Sequence, residues 1–227
     1  MYSEHTGIAS LSEMDYLDVK NLAQTGEGTY LEFKRTVPDA EKIAREMAAF
    51  ANTKGGTLLI GVDDDRSLVG VDGYQEEEFL LKKAATEVCH PKVDITIEIV
   101  YFGERDLIVV RIPEASQKPV FICGEKKSTV YLRKGDQNKI ASVERIRILE
   151  NKQSGKSITF EYGKHEQTLF RYLNEYSEIS VEKFAHMINV SKQEAGDILV
   201  NLVSAGILNL FTKDSVDYFT FSRRCKS

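Results

Sequence analysis

The chain has 227 residues, with 30 Lys and Arg against 35 Asp and Glu, a formal charge of −5 and a pI near 5.5. That balance excludes a uniformly basic protein that coats nucleic acid without selectivity, so any nucleic-acid role must sit in a local patch. At 42 % hydrophobic and 29 % charged, the composition is that of a soluble chain forming one large or two small domains, neither fibrous nor disordered.

No apolar run reaches membrane-spanning length, and the first five residues do not read as a signal peptide. The three scattered cysteines, Cys89, Cys123 and Cys225, read as reduced thiols of a cytoplasmic protein. Met14, Leu17 and Leu22 predict a helix over 12–22 capped by Ser12. After a loop at 24–28, residues 30–35 alternate, with Leu31 and Phe33 on one face of a strand and Glu32 and Lys34 on the other. Pro38 and Asp39 open a helix carrying Ile43, Met47, Phe50 and Ala51, and Gly55 and Gly56 stop it. Residues 57–62 form a continuous apolar strand, the mark of burial on both faces. A short strand over 68–71 and a helix over 75–88 follow. Two strands at 95–99 and 107–112 are joined through Gly103, Glu104 and Arg105, and short strands cover 120–123 and 129–133.

The polar stretch 151–162, containing Gly155, reads as a linker. Beyond it lie three helical stripes: Leu169, Tyr172, Leu173 and Tyr176; Val181, Phe184, Ala185 and Ile188; Ala195, Ile198, Leu199, Leu202 and Val203. Ser191 and Glu194 form a capping box for the third, and 207–211 pairs with 218–221 across a tight turn. Three short helices and a hairpin describe a winged helix. The fold class is therefore α+β: a mixed-sheet domain over 1–150, a linker over 151–164 and a winged helix over 165–227.

Gly55 and Gly56 precede their strand, whereas a phosphate-binding loop follows one and ends in Gly-Lys-Ser/Thr. Gly155-Lys156-Ser157 has Glu150 where that motif needs its first glycine, so P-loop ATP hydrolysis is not expected. His5, His90, His165 and His186 show no ligand spacing, which argues against structural zinc. The carboxylates admit two readings. If the strands at 31–34 and 57–62 are neighbours, Glu27, Glu32 and one of Asp63, Asp64 and Asp65 converge beside Lys34, an arrangement suited to Mg²⁺ or Mn²⁺ on a phosphodiester. Otherwise Glu32 and Lys34 are surface strand residues and the aspartates a solvated turn. Spacing alone favours the second.

Residues 26–34 (GEGTYLEFK) and 49–64 (AFANTKGGTLLIGVDD) resemble paired blocks of the Alba-like Schlafen domain, a family once called the divergent AAA domain. Residues 131–138 (YLRKGDQN) are similar to its closing signature, an aromatic followed by Arg, Gly and Asn. The resemblance covers residues 12–150. In bacteria and archaea it implies a domain placed ahead of a winged helix in DNA-binding proteins of transcriptional-regulator type. Animal members use the domain as a metal-dependent endoribonuclease with three carboxylates. On that pattern Glu27 and Glu32 match the two glutamates, Asp64 the aspartate and Lys34 the lysine after Glu-Phe. The resemblance thus implies Mg²⁺ or Mn²⁺ for a nuclease, and no cofactor for binding alone. Animal enzymes enclose RNA with two lobes, so a homodimer would supply the second.

Candidate backbone-holding cations are Lys34 and Arg35, Lys126 and Lys127, and Arg133 and Lys134, although strand-edge lysines also serve solubility. In the third C-terminal helix, Lys192, Gln193 and Asn201 face outward as candidate base or phosphate contacts, but Glu194 and Asp197 share that face unfavourably. The leading expectation is a protein that binds DNA or RNA through both modules, without a membrane. The alternatives are the ribonuclease, with Glu27, Glu32 and Asp64 as catalytic metal ligands, and a protein-interaction or dimerisation module.

Overall fold

The first helix begins at Asp15, whose carboxylate accepts the Leu17 and Asp18 N–H groups at 2.8 and 3.0 Å. This holds in a computed structural model that describes residues 10–11, 14–123, 128–154 and 162–222. Asp18 returns the bond to the Asp15 N–H, closing a capping box, and α1 runs Tyr16–Gln24. The expected cap, Ser12, lies outside the described residues, as do Lys126, Lys127 and Gly155-Lys156-Ser157.

Five strands form the main sheet: β1 (Ser10–Leu11), β2 (Leu31–Lys34), β3 (Gly56–Ile60), β5 (Thr96–Phe102) and β6 (Arg105–Ile112), in the order β1-β5-β6-β3-β2. β2 and β3 are parallel, with Glu32 beside Leu58 and Lys34 beside Ile60, and α2 (Ala40–Asn52) makes the crossover between them. Asp39 caps α2 by accepting the Lys42 N–H at 2.7 Å. Gly55 takes a left-handed φ of +75°, and a Cβ there would meet the Ile112 carbonyl at 2.6 Å. The Gly55-Gly56 pair thus lets the chain turn from α2 into β3 close against the end of β6.

Both faces of the sheet are covered. α1 places Val19 and Ala23 against Leu31, Phe33, Leu59 and Val109 on one face. α2 places Ile43, Met47 and Phe50 against Leu58, Ile60, Ile108 and Val110 on the other. α2 is enclosed on its far side by a second, antiparallel sheet: β4 (Cys89–His90), β7 (Phe121–Cys123), β8 (Ser128–Lys134) and β9 (Gln137–Ile140), in the order β4-β7-β8-β9. The alternation read in β2 is correct, but its polar side is largely covered, and only Lys34 at its end is half-buried. That side faces α2 and β8, so Glu32 is buried.

The expected strand at 68–71 is reduced to isolated bridges, Val62 with Leu68 and Val71 with Asp106. Gly61 and Gly70 both take left-handed φ and cross so closely that a Cβ on Gly61 would lie 2.9 Å from the Gly70 Cα. The helix expected over 75–88 is α3 (Tyr74–Lys83), followed by a π-helical turn at Ala84–Val88. Cys89 is fully buried, and burial pushes its thiol up to about 12, so it is an inert core residue.

The chain divides at Ala141 and Ser142 rather than after 150. The second unit opens with α4 (Val143–Ser154), which takes in the first part of the expected linker; residues 155–161 lie outside the described set. Then come α5 (Lys164–Tyr176), α6 (Val181–Ile188), α7 (Lys192–Ser204) and an antiparallel hairpin of β10 (Leu208–Lys213) and β11 (Val216–Phe221). Its core holds Leu169, Leu173, Phe184, Leu199, Leu202 and Phe219. Ile179 adds a bridge to Phe219. Among the described residues no helix is long and apolar enough to cross a membrane.

Glu77 of α3 is buried and accepts the Val37 N–H at 2.7 Å. Burial pushes its carboxyl up, and only that N–H opposes the shift, so the ionised form is disfavoured in the fold. A raised carboxylate favours folding most when protonated, and that contribution is lost as pH rises through its folded value. Glu77→Gln keeps an acceptor for Val37 without the charge. Urea denaturation should show it more stable than the parent at pH 7, with the advantage vanishing near pH 4; an equal advantage at both pH values would contradict the assignment.

Candidate functional site

The loop between α1 and β2 folds back on the outer edge of β2, the last strand of its sheet. Gly26 turns the chain with a φ of +84°. Glu27 then accepts the Phe33 N–H at 3.0 Å, and the Gly28 N–H donates to the Leu31 carbonyl at 2.9 Å. An edge strand has unpaired backbone groups that invite further pairing, and here its own loop satisfies them.

Arg133 of β8 completes the arrangement. Its side chain is 1 % exposed. Nε and Nη2 donate to the Gly28 carbonyl at 3.0 and 2.9 Å, and Nη2 also reaches the Leu31 carbonyl at 3.3 Å. Nη2 donates to Glu32 Oε2 at 2.6 Å, while Nη1 reaches Glu46 of α2 at 3.3 Å and Asn138 of β9 at 3.2 Å. The guanidinium lies over the Phe50 ring, 4.8 Å from its centroid. Its backbone N–H donates to the Thr53 hydroxyl at 3.0 Å. Lys34 pairs with the other Glu32 oxygen and donates to the Phe33 carbonyl at 2.9 Å. Among the described residues no buried side-chain polar atom lacks a partner.

Burial alone would push Glu32 up, but Lys34 and Arg133 outweigh it and hold its carboxyl below the ordinary range. Glu27 goes the other way: burial pushes it up, and the adjacent Glu32 carboxylate adds to the shift against the Phe33 N–H. The two glutamates differ in proton affinity because Glu32 alone is engaged by two cations.

The structure brings Glu27, Glu32 and Lys34 together, the arrangement that spacing alone left as the less favoured reading. Asp64 is exposed on the turn after β3, beside Asp63, which pairs with Arg35 at 2.9 Å. No group of three or more His, Cys, Asp or Glu among the described residues is placed to hold a metal ion. Both Glu32 oxygens already serve cations of the chain, so the donors present do not compose a three-carboxylate shell. Arg133 requires correction as a nucleic-acid contact: it is enclosed and points inward, whereas Lys134 beside it is exposed. In the second unit Gln193 and Asn201 are exposed on α7, and Lys192 is held by Glu182 at 2.5 Å.

Glu46, Thr53 and Asn138 complete the network and had no assigned role. Asn138 stood in the closing motif, where its spacing of five from Arg133 matches two facing positions of the β8–β9 hairpin.

Removing either partner of a buried ion pair strands the other. Glu32→Ala and Arg133→Ala should each lose about 3 kcal/mol or more of unfolding free energy in urea. The double variant should lose less than the sum, by a coupling of ~1–3 kcal/mol. Additive losses would show that the two side chains do not act as a pair. Because the Glu32 carboxyl is held low, its contribution is present at neutral pH and disappears as pH falls through its folded value.

A family model described as Schlafen, AlbA_2 matches residues 27–142, just over half of the chain. The solution structure of the N-terminal domain of a Nitrosomonas europaea protein, named for its relation to the ATP-dependent DNA helicase RecG, is similar at 22 % identity and a TM-score of 0.44. That match covers 57 % of this chain and 96 % of that one. A crystal structure of a Corynebacterium diphtheriae protein is similar at 20 % identity and a TM-score of 0.40, over 57 % of this chain and 29 % of that one. Since the model match takes in the Glu27 loop, β2, α2 and the β8–β9 hairpin that build the ion network, the chain belongs to the Schlafen AlbA_2 family.

Proposed function

We propose that this chain is a nucleic-acid-binding protein of regulator type, whose AlbA_2 unit holds a phosphate backbone and whose second unit is a winged helix. One observation carries the reading. The hairpin that turns Arg133 and Asn138 inward turns Lys134 and Lys139 outward, and both lysines are exposed. The inward pair fixes the hairpin to α2 and the β2 loop, so the backbone that carries the lysines is already ordered before it meets a phosphate. Arg45, exposed on α2 next to Glu46, extends the same basic character. The winged-helix reading is supported by the order α5-α6-α7-hairpin and by the Ile179–Phe219 bridge, which gives the hairpin a third edge. A homodimer belongs to the same proposal and is read by light scattering.

Phosphate contacts make affinity fall with salt. Filter binding of the full chain to DNA and RNA duplexes should give a log–log salt slope that drops by about 2 in Lys134→Ala/Lys139→Ala. Absence of salt-sensitive binding at low ionic strength would contradict the reading.

A second reading, hydrolysis of RNA, is favoured by the adjacency of Glu27 and Glu32. It needs Asp64 as a third donor, which the geometry does not bring to them. Incubation of structured RNA with Mn²⁺ separates the readings: strands that stay intact while bound support the first. Cleavage abolished by Asp64→Asn supports the second.

A further inference from the structure

α7 is the helix a winged helix would place in the major groove, and in this chain its flank is occupied. Gly196, Val200 and Ser204 stand four residues apart along one side of it. A Cβ on Gly196 would lie 3.2 Å from the Glu144 carboxylate of α4. Arg147 of α4 pairs with Asp197 at 2.5 Å, and Asn151 donates to the Ser204 hydroxyl at 3.2 Å. Contacts therefore advance together along both helices, which lie side by side and parallel. Ile148 of α4 and Val200 of α7 are both buried. The start of α4 is tied to the hairpin through Arg145, which donates to Asp217 at 3.0–3.2 Å and to the Thr212 hydroxyl at 2.7 Å.

We propose that α4 masks α7, so that groove binding by the second unit requires α4 to leave the flank of that helix. The size of the groove decides this. An α-helix with its side chains is about 10–12 Å across and the major groove is about 12 Å wide, so one helix fills it. Two helices packed 8–10 Å apart present about twice that width. Gln193, Asp197 and Asn201 remain exposed along α7, but α4 beside them strikes the groove wall before their side chains reach base edges. Beyond its first turn α4 is held against α7 in part by a partly exposed ion pair, Arg147 with Asp197, which a charge reversal breaks.

The inference rests on the second unit being a nucleic-acid reader, and its test separates the two claims. Arg147→Glu breaks the pair with Asp197 while adding negative charge to the protein. Charge alone would weaken binding, and Arg171→Glu on α5 serves as the control for that effect. In fluorescence anisotropy with a mixed-sequence DNA duplex at low salt, the full-length Arg147→Glu chain should bind about threefold tighter or better than the parent. Arg147→Gln, which only removes the pair, should give a smaller gain, and Arg171→Glu should give none. Adding Gln193→Ala and Asn201→Ala should abolish the gain. A parent that binds while Arg147→Glu does not bind more tightly, or a gain that survives without Gln193 and Asn201, overturns the masking. A parent and variants that all fail to bind overturn the nucleic-acid reading with it.

Discussion

A buried guanidinium determines how the first unit is assembled. Arg133 is the point at which the β2 loop, α2 and the second sheet meet, and each element supplies it with an acceptor: the Gly28 and Leu31 carbonyls, Glu46, and Asn138. A charge taken from water is tolerated only when it is fully partnered, because its desolvation is costly. That requirement fixes the surrounding geometry. The loop after α1 must present two carbonyls, β2 must place Glu32 on its inner face, and the β8–β9 turn must return Asn138 opposite Arg133.

The acidic residues of the family pattern thereby gain structural roles. Glu27 satisfies the edge of β2 through the Phe33 N–H, and Glu32 neutralises Lys34 and Arg133. These pairs balance within themselves, so the acidic excess of the chain comes from other residues. Met1–Ala141 contains 18 Lys and Arg against 24 Asp and Glu, whereas Ser142–Ser227 contains 12 against 11. With α4 counted in the second unit, through Arg145, Arg147 and Lys152, that unit ceases to be acidic.

Much of this fold was legible in the residues. The caps at Asp39 and Ser191, the apolar run of β3, the hairpin through Gly103 and the three C-terminal stripes each follow from local rules, and local rules held there. The errors came where burial depends on distant elements. Glu32 and Lys34 sit on the polar side of an alternating strand, and no local signal reveals that α2 and β8 cover that side. Arg133 reads like any strand-edge cation, because the acceptors that enclose it come from residues 28–46 and 138. α4 was missed because Val143, Ile146 and Ile148 do not form a clean helical stripe: Val143 is exposed, Ile146 half-buried and Ile148 buried. Spacing left the convergence of Glu27 and Glu32 as the less favoured of two readings, because the burial that decides it comes from α2 and β8, and the position of Asp64 depends on how the Asp63–Arg35 pair and the Gly61–Gly70 crossing shape the turn.

The closing hairpin divides its cations, with Arg133 inward as structure and Lys134 and Lys139 outward and exposed, where the proposed function makes them the phosphate contacts. The most direct measurement is an NMR titration of the full chain with a DNA duplex, following the Arg133 Nε–H together with the Lys134 and Lys139 side-chain signals. The account predicts a slowly exchanging Arg133 Nε–H that stays in place while the lysine signals move in a salt-dependent manner. An Arg133 signal that exchanges rapidly, or that shifts on binding while the lysines do not, would contradict it.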